Sequence, residues 1–176
     1  MQNVFRTPFY SQYRDIKNKK WKKKACGIAA LAMMCEYHRP QAEISLPRLI
    51  TEGTKRGGYQ KGVGWKHKAL AELCGIYALR GKNFDLAKKP FSFSQKQLKA
   101  SLRKGPIVVS VWRDPKKRSG GHLVTAVGFD TRSVLLKDPL ERTDGAMQKR
   151  VTWKTFGNIW KKRMIVASPK RRVAKK

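Results

Sequence analysis

The chain has 176 residues, 40% hydrophobic and 10% aromatic, which suffices for one domain with one core. Its 41 Lys and Arg against 11 Asp and Glu give a formal charge of +30, so the surface is expected to attract nucleic acid, other anionic polymers, anionic lipid or acidic peptides. Three cysteines are too few for a disulfide framework, no Cys/His grouping has zinc spacing, and no cofactor or metal is expected.

Val4 to Tyr10, with Pro8, reads as a short extended segment leading into Ser11-Gln12-Tyr13, and Lys17 to Lys24 as a basic loop. The first helix is predicted from about Ala25 to Tyr37, apolar on nearly every side and therefore buried at the centre of the domain, with His38-Arg39-Pro40 ending it. Ser45 is a candidate N-cap for a short helix through Ile50, with Pro47 in its first turn. Glu52 to Trp65 holds five glycines and is expected to be a structured loop. Lys66 to Cys74 is predicted helical with Gly75 as its cap, Ile76 to Leu79 as a strand, and Ser94 with Gln97 as the capping box of a helix to Arg103.

The period then changes. Pro106 to Trp112, Gly121 to Phe129 and Val134 to Lys137 are β-branched or apolar runs between turn residues, and predict neighbouring antiparallel strands. Thr152 to Trp160 follows as a short amphipathic helix and Arg163 to Ala167 as a last strand. Residues 1–167 are thus expected to form one domain and 168–176 a basic tail. Helices first and sheet second predict an α+β fold, the early helix packed on an antiparallel sheet. The N-terminus has no apolar signal region and the run Ala25 to Met34 is far below the roughly 20 residues of a membrane span, so the expected location is the cytoplasm.

Three residues in this order carry a chemistry. Cys26 opens the buried helix, where unpaired N–H groups, the positive dipole end and the lysines upstream favour a thiolate. His122, on the Gly121 strand, is the candidate base: His38 lies at the far end of the Cys26 helix, roughly 18 Å away, and His67, at a helix start, suits binding better than proton shuttling. Asp138 is the candidate orienting acid, since Asp130 is roughly 26 Å from His122 along one strand; Glu141 and Asp144 are alternatives. With a two-residue turn at Thr131-Arg132, Thr125 would face Asp138, and Asp138 and His122 would fall on opposite faces. A longer turn or one bulge puts them diagonally on one face. For an oxyanion, the Cys26 backbone N–H is one donor and the Gln12 amide the other. The loop around Gly57 to Trp65 is expected to border a substrate cleft, with Gly64, Trp65, His67 and Gly121 as its contacts, while Cys35 and Cys74 are expected in the core.

Pro8-Phe9-Tyr10-Ser11-Gln12, then Ala25-Cys26-Gly27-Ile28-Ala29-Ala30-Leu31, then Gly121-His122-Leu123-Val124-Thr125-Ala126-Val127-Gly128 and Lys137-Asp138-Pro139 resemble the papain-like cysteine peptidases of the double-glycine, bacteriocin-leader-processing type, in their stand-alone form. The resemblance spans roughly Val4 to Ala167. It implies a papain-like fold with Cys26 on the central helix, His122 and Asp138 on the sheet and Gln12 in the oxyanion hole, and a thiol peptidase acting on peptide or protein substrates through an acyl-enzyme. The gap from Gln12 to Cys26 is longer and richer in lysine than in the transporter-linked enzymes. The alternative within this fold is an idle binding module whose basic surface docks nucleic acid or a cell-wall polymer.

Overall fold

The computed structural model describes residues 3–143 and 148–170. In chain order these form β1 (Asn3–Val4), α1 (Lys19–Lys22), α2 (Cys26–His38), α3 (Leu46–Lys55), β2 (Tyr59–Gln60), β3 (Gly64–Trp65), α4 (His67–Leu73) and a 3-10 turn (Cys74–Tyr77). There follow β4 (Leu79–Asp85), α5 (Phe91–Leu102), β5 (Ile107–Val111), β6 (His122–Phe129), β7 (Ser133–Lys137), β8 (Gln148–Thr152), α6 (Trp153–Ile159) and β9 (Trp160–Pro169). One antiparallel sheet runs in the order β4-β9-β5-β6-β7-β8, and β1 pairs with β6 at Gly128 and Phe129, beyond the end of β5. The α+β class with an antiparallel sheet is therefore as the patterning predicts.

The sheet separates two cores. On one face Val108, Leu123 and Ile165 pack against α2, α3 and α4; on the other Val109, Val124, Leu136 and Met164 pack against Leu98 and Leu102 of α5 and Phe156 of α6. Helix α2 lies in the first core with Gly27 to Cys35 all buried, which is why its sequence is apolar all round. Gly27 is required by packing: a Cβ there would lie 2.8 Å from Leu123 Cδ1 and 3.0 Å from Leu70 Cδ1. The missing side chain lets the start of α2 approach the strand that begins with His122.

Several local expectations are corrected by packing. The basic loop contains α1, capped by the Asn18 side chain, which accepts from Lys20 N–H at 3.0 Å. Helix α3 does not stop at Ile50, because Leu46, Leu49, Ile50 and Gly53 continue one buried face; a Cβ on Gly53 would meet the Trp65 ring at 2.5 Å, so this glycine makes room for a helix contact and does not mark a loop. Gly75 does not cap α4. The chain tightens into the 3-10 turn, Ala78 takes the left-handed conformation at φ 53°, and the strand begins at Leu79 instead of Ile76. Ser94 does not open α5 either: Pro90 does, and the Ser94 hydroxyl donates to the Pro90 carbonyl at 3.0 Å inside the first turns. The last strand, expected over Arg163 to Ala167, is longer at both ends, Trp160–Pro169, with Ser168 paired to Arg80 and Pro169 to Leu79.

Candidate active site

Three stretches of chain meet at the N-terminus of α2. The indole N–H of Trp65 donates to the Lys24 carbonyl at 2.8 Å, and the rings of Trp21, Tyr59 and Trp65 form a mutual cluster with centroids 5.0 to 5.5 Å apart. These contacts fix the approach to Cys26 against the β2–β3 hairpin. The Gln12 segment is tied to the residues after Asp138, since Gln12 N–H donates to the Pro139 carbonyl at 2.8 Å.

His122 and Asp138 are brought onto one face by a bulge. In the β6–β7 pair Thr125 faces Lys137 and Ala126 faces Leu136, but Gly128 faces Leu135, so Val127 is the extra residue. One more step along the ladder puts Asp138 beside Val124, diagonal to His122 and of the same parity. His122 Nε2 lies 2.6 Å from Asp138 Oδ1, which also accepts the Leu140 N–H at 2.9 Å. With Nε2 so engaged, Nδ1 is the ring nitrogen left for the Cys26 thiol.

The electrostatics favour a thiolate–imidazolium pair. Burial pushes the Cys26 thiol up, but the hydrogen bond and charge of His122, with the backbone N–H groups of Leu123 and Gly27, more than reverse this and hold it below the usual thiol range. Burial pushes His122 down, yet the Asp138 hydrogen bond and the Cys26 sulfur raise it to about 9. Asp138, pushed up by burial, is brought below the carboxylate range by His122 and by the Leu140 N–H. Cys26 is partly exposed, whereas Cys35 and Cys74 are fully buried against each other, which raises Cys35.

Gln12 is 2% exposed; its Nε2 donates to the Lys22 carbonyl at 2.6 Å and its Oε1 has no hydrogen-bond partner. The amide has a second N–H, and the residue lines the same cleft as Cys26 and His122. That cleft, about 450 Å³, is also lined by Gly64, Trp65, His67 and Gly121. Trp65 is nonetheless mainly a core residue, 7% exposed. Burial, followed by the charges of Arg163 and Lys161, holds His67 low and hence neutral.

The other histidines and acids are occupied elsewhere. The rings of His38 and Tyr37 are in edge contact, at the far end of α2. Asp130 caps the β6–β7 turn, held at about 2 by the Ser133 hydroxyl and by backbone N–H groups of Arg132 and Ser133. Glu141 pairs with Lys149, and Asp144 lies outside the described residues. Among the described residues no group of three or more His, Cys, Asp and Glu is placed to hold a metal ion, and no helix is long and apolar enough to cross a membrane. Sequence reasoning missed Leu123 N–H as a thiolate donor and missed Ser110, Arg113, Lys161 and Arg163 as cleft residues. Backbone donors carry no side-chain signal, and the four side chains come from segments read as ordinary strands and loop.

The fold is shared with known proteins. A double-glycine-motif protease from an AMS/PCAT transporter, solved in complex with the leader peptide, superposes with a TM-score of 0.63 at 16% identity, covering 97% of this chain and 99% of that one. A Bacillus anthracis protein described as a C39-like peptidase gives 0.66 at 20% identity, covering 97% and 98%. The peptidase domain of Streptococcus ComA, a bi-functional ABC transporter involved in quorum sensing, gives 0.60 at 17% identity, covering 84% and 93%. No curated protein matches the sequence. These likenesses establish the fold, and the model of the Peptidase_C39 like family matches residues 5–167. The chain belongs to the Peptidase_C39 like family, whose fold is that of the cysteine peptidases.

Proposed function

We propose that this chain is a cysteine peptidase in which Cys26, His122 and Asp138 act as the catalytic triad and Gln12 as an oxyanion donor. The observation that carries the reading is the position of His122, whose Nε2 lies 2.6 Å from Asp138 Oδ1 and which lines one open cleft together with Cys26.

The steps follow from the protonation states. The Cys26 thiolate attacks the scissile carbonyl carbon, and the carbonyl oxygen takes the negative charge. Two donors face that oxygen: the Cys26 N–H, which at the first position of α2 has no intrahelical acceptor, and the free N–H of the Gln12 amide. The His122 imidazolium gives its proton to the leaving amine as the C–N bond breaks, leaving a thioester on Cys26. Neutral His122 then takes a proton from water, whose oxygen attacks the thioester. Collapse returns the thiolate, the imidazolium and a carboxylic acid product. Asp138 keeps the ring oriented and favours its charged form throughout. His67, neutral and on the cleft wall, contacts substrate without exchanging protons.

The test is cleavage of a proteome-derived peptide library by the wild type and by Cys26→Ala. Cuts present only with the wild type support the reading. Identical patterns, or none with either protein, refute it.

A further inference from the structure

We infer that the β9 side of the cleft is a subsite for an acidic side chain of the substrate, one within about two residues of the scissile bond. This rests on the peptidase reading above and adds the substrate chemistry.

The cleft is lined by Lys23, Lys24, Lys66, Arg113, Lys161 and Arg163 and, among the described residues, by no Asp or Glu. Of these six only Arg163 has a carboxylate partner among the described residues, Asp85 at 2.9 Å. Lys161 lies near the chemistry. Its Nζ lies 3.6 Å from where a Gly121 Cβ would be, and Gly121 directly precedes His122. The ammonium is held over the Trp112 ring, 4.1 Å from the centroid, and makes a long contact, 3.5 Å, to the Gly120 carbonyl, which leaves donor capacity for an anion. The register Arg163–Ser110–Leu123 across β9, β5 and β6 sets Arg163 on the same face as Leu123, which packs at the start of α2. Burial, and then Arg163, already disfavour the charge on Lys161.

Two half-buried cations therefore share a wall with a neutral His67, and of the two Lys161 has no carboxylate partner among the described residues. A lysine surface bias does not explain this, because exposed lysines keep their water and lie apart, whereas Arg163 is set at the cleft by its pairing with Ser110 and Lys161 by the bulge just before that pair. An incoming carboxylate supplies the missing counter-charge. Gly120, Gly121 and Gly64 leave the cleft wall without side chains beside it, so that a peptide backbone can approach closely enough for its side chain to reach Lys161.

Peptides that the wild type cleaves are compared in pairs carrying Glu or Gln at each position around the cut, at physiological salt, where charges beyond about 8 Å are screened. Glu should raise kcat/KM about tenfold at one position within two residues of the bond. Lys161→Gln should abolish that preference and Lys161→Glu invert it, while Lys96→Gln, exposed on α5, leaves it unchanged. Independently of any cleavage, the rate ratio of Cys26 alkylation by anionic iodoacetate and neutral iodoacetamide should exceed that of N-acetylcysteine amide and fall several-fold in Lys161→Gln. If Glu and Gln are equivalent everywhere, or the alkylation ratio ignores Lys161, the subsite is wrong and the peptidase reading stands. If no peptide is cut but the ratio falls as stated, the peptidase reading fails and the anion site stands.

Discussion

Replacing Asp138 by Asn tests the charge logic of the site most directly. His122 is held at about 9 against an ordinary 6.5, a preference for the imidazolium of about 3 kcal/mol. Burial alone would push the ring the other way, so Asp138 and the Cys26 thiolate together supply more than this. Two unit charges about 4 Å apart at an effective dielectric near 20 interact by about 4 kcal/mol. The Asp138 side chain is 19% exposed, and solvent screening reduces its share. The Asn variant should therefore lower the His122 titration by one to two units, roughly. The sign is fixed by the pair: the thiolate exists above the depressed Cys26 value, the imidazolium below about 9, and activity needs both. The alkaline limb of kcat/KM should move down from about 9, and kcat should fall by about a hundredfold through loss of the oriented proton donor. The same step is read without substrate from thiolate absorbance near 240 nm and from the pH profile of iodoacetamide alkylation. An Asn variant whose alkaline step stays near 9 would show that Asp138 neither charges nor orients His122.

Limiting iodoacetamide should label Cys26 first, since Cys35 and Cys74 are 0% exposed; peptide mapping that finds either of those labelled earlier in the native protein removes Cys26 from its role. Gln12→Ala should cut kcat/KM by about a hundredfold, the cost of one oxyanion donor, while leaving Cys26 alkylation within a few-fold of wild type. Equal losses in both assays would instead assign Gln12 to holding the Lys22 segment. Trp65→Phe should destabilise by about 1 to 3 kcal/mol, because the ring is buried against Gly53 and its N–H is bonded to Lys24, and urea denaturation measures this. Gly81→Ala should be worse, by about 3 kcal/mol or more, because the new Cβ would lie 2.0 Å from the Ala71 carbonyl oxygen, a backbone atom; an unchanged midpoint would mean that β4 does not press on α4 as described.

What was legible in the sequence is what tertiary packing leaves to local pattern. Helix α2 declares itself because it is apolar on all sides, and β5, β6 and β7 because their apolar and β-branched runs are bounded by turns. The failures share one cause. Gly53, Gly75 and Ser94 carry residue types that favour loops and caps, and each sits inside a helix or 3-10 turn because a neighbour fills the space or takes the hydrogen bond. Strand β8, Gln-Lys-Arg-Val-Thr, escapes notice because it is an edge strand with one apolar residue, and its pairing with β7 is a property of the ladder and not of its own pattern.

The candidate site was legible as a set of residues but not as a geometry. Cys26 is marked by the helix start and His122 by its strand, yet whether Asp138 reaches the histidine turns on one residue of register. A regular β6–β7 ladder with a two-residue turn would set Thr125 opposite Asp138 and send the carboxylate to the face occupied by α2. There Thr125 donates to the Ala30 carbonyl at 3.0 Å, and the carboxylate would lie on the face opposite to His122. The extra residue at Val127 shifts the pairing so that Lys137 faces Thr125. Lys137 then lies buried with its ammonium on the Thr7 carbonyl, and this anchors the N-terminal segment that carries Gln12. One bulge thus brings Asp138 to His122 and Lys137 to the segment that carries Gln12. No feature of the run Val124-Thr125-Ala126-Val127-Gly128 announces it except the glycine, whose conformational freedom marks a place where a strand can bend.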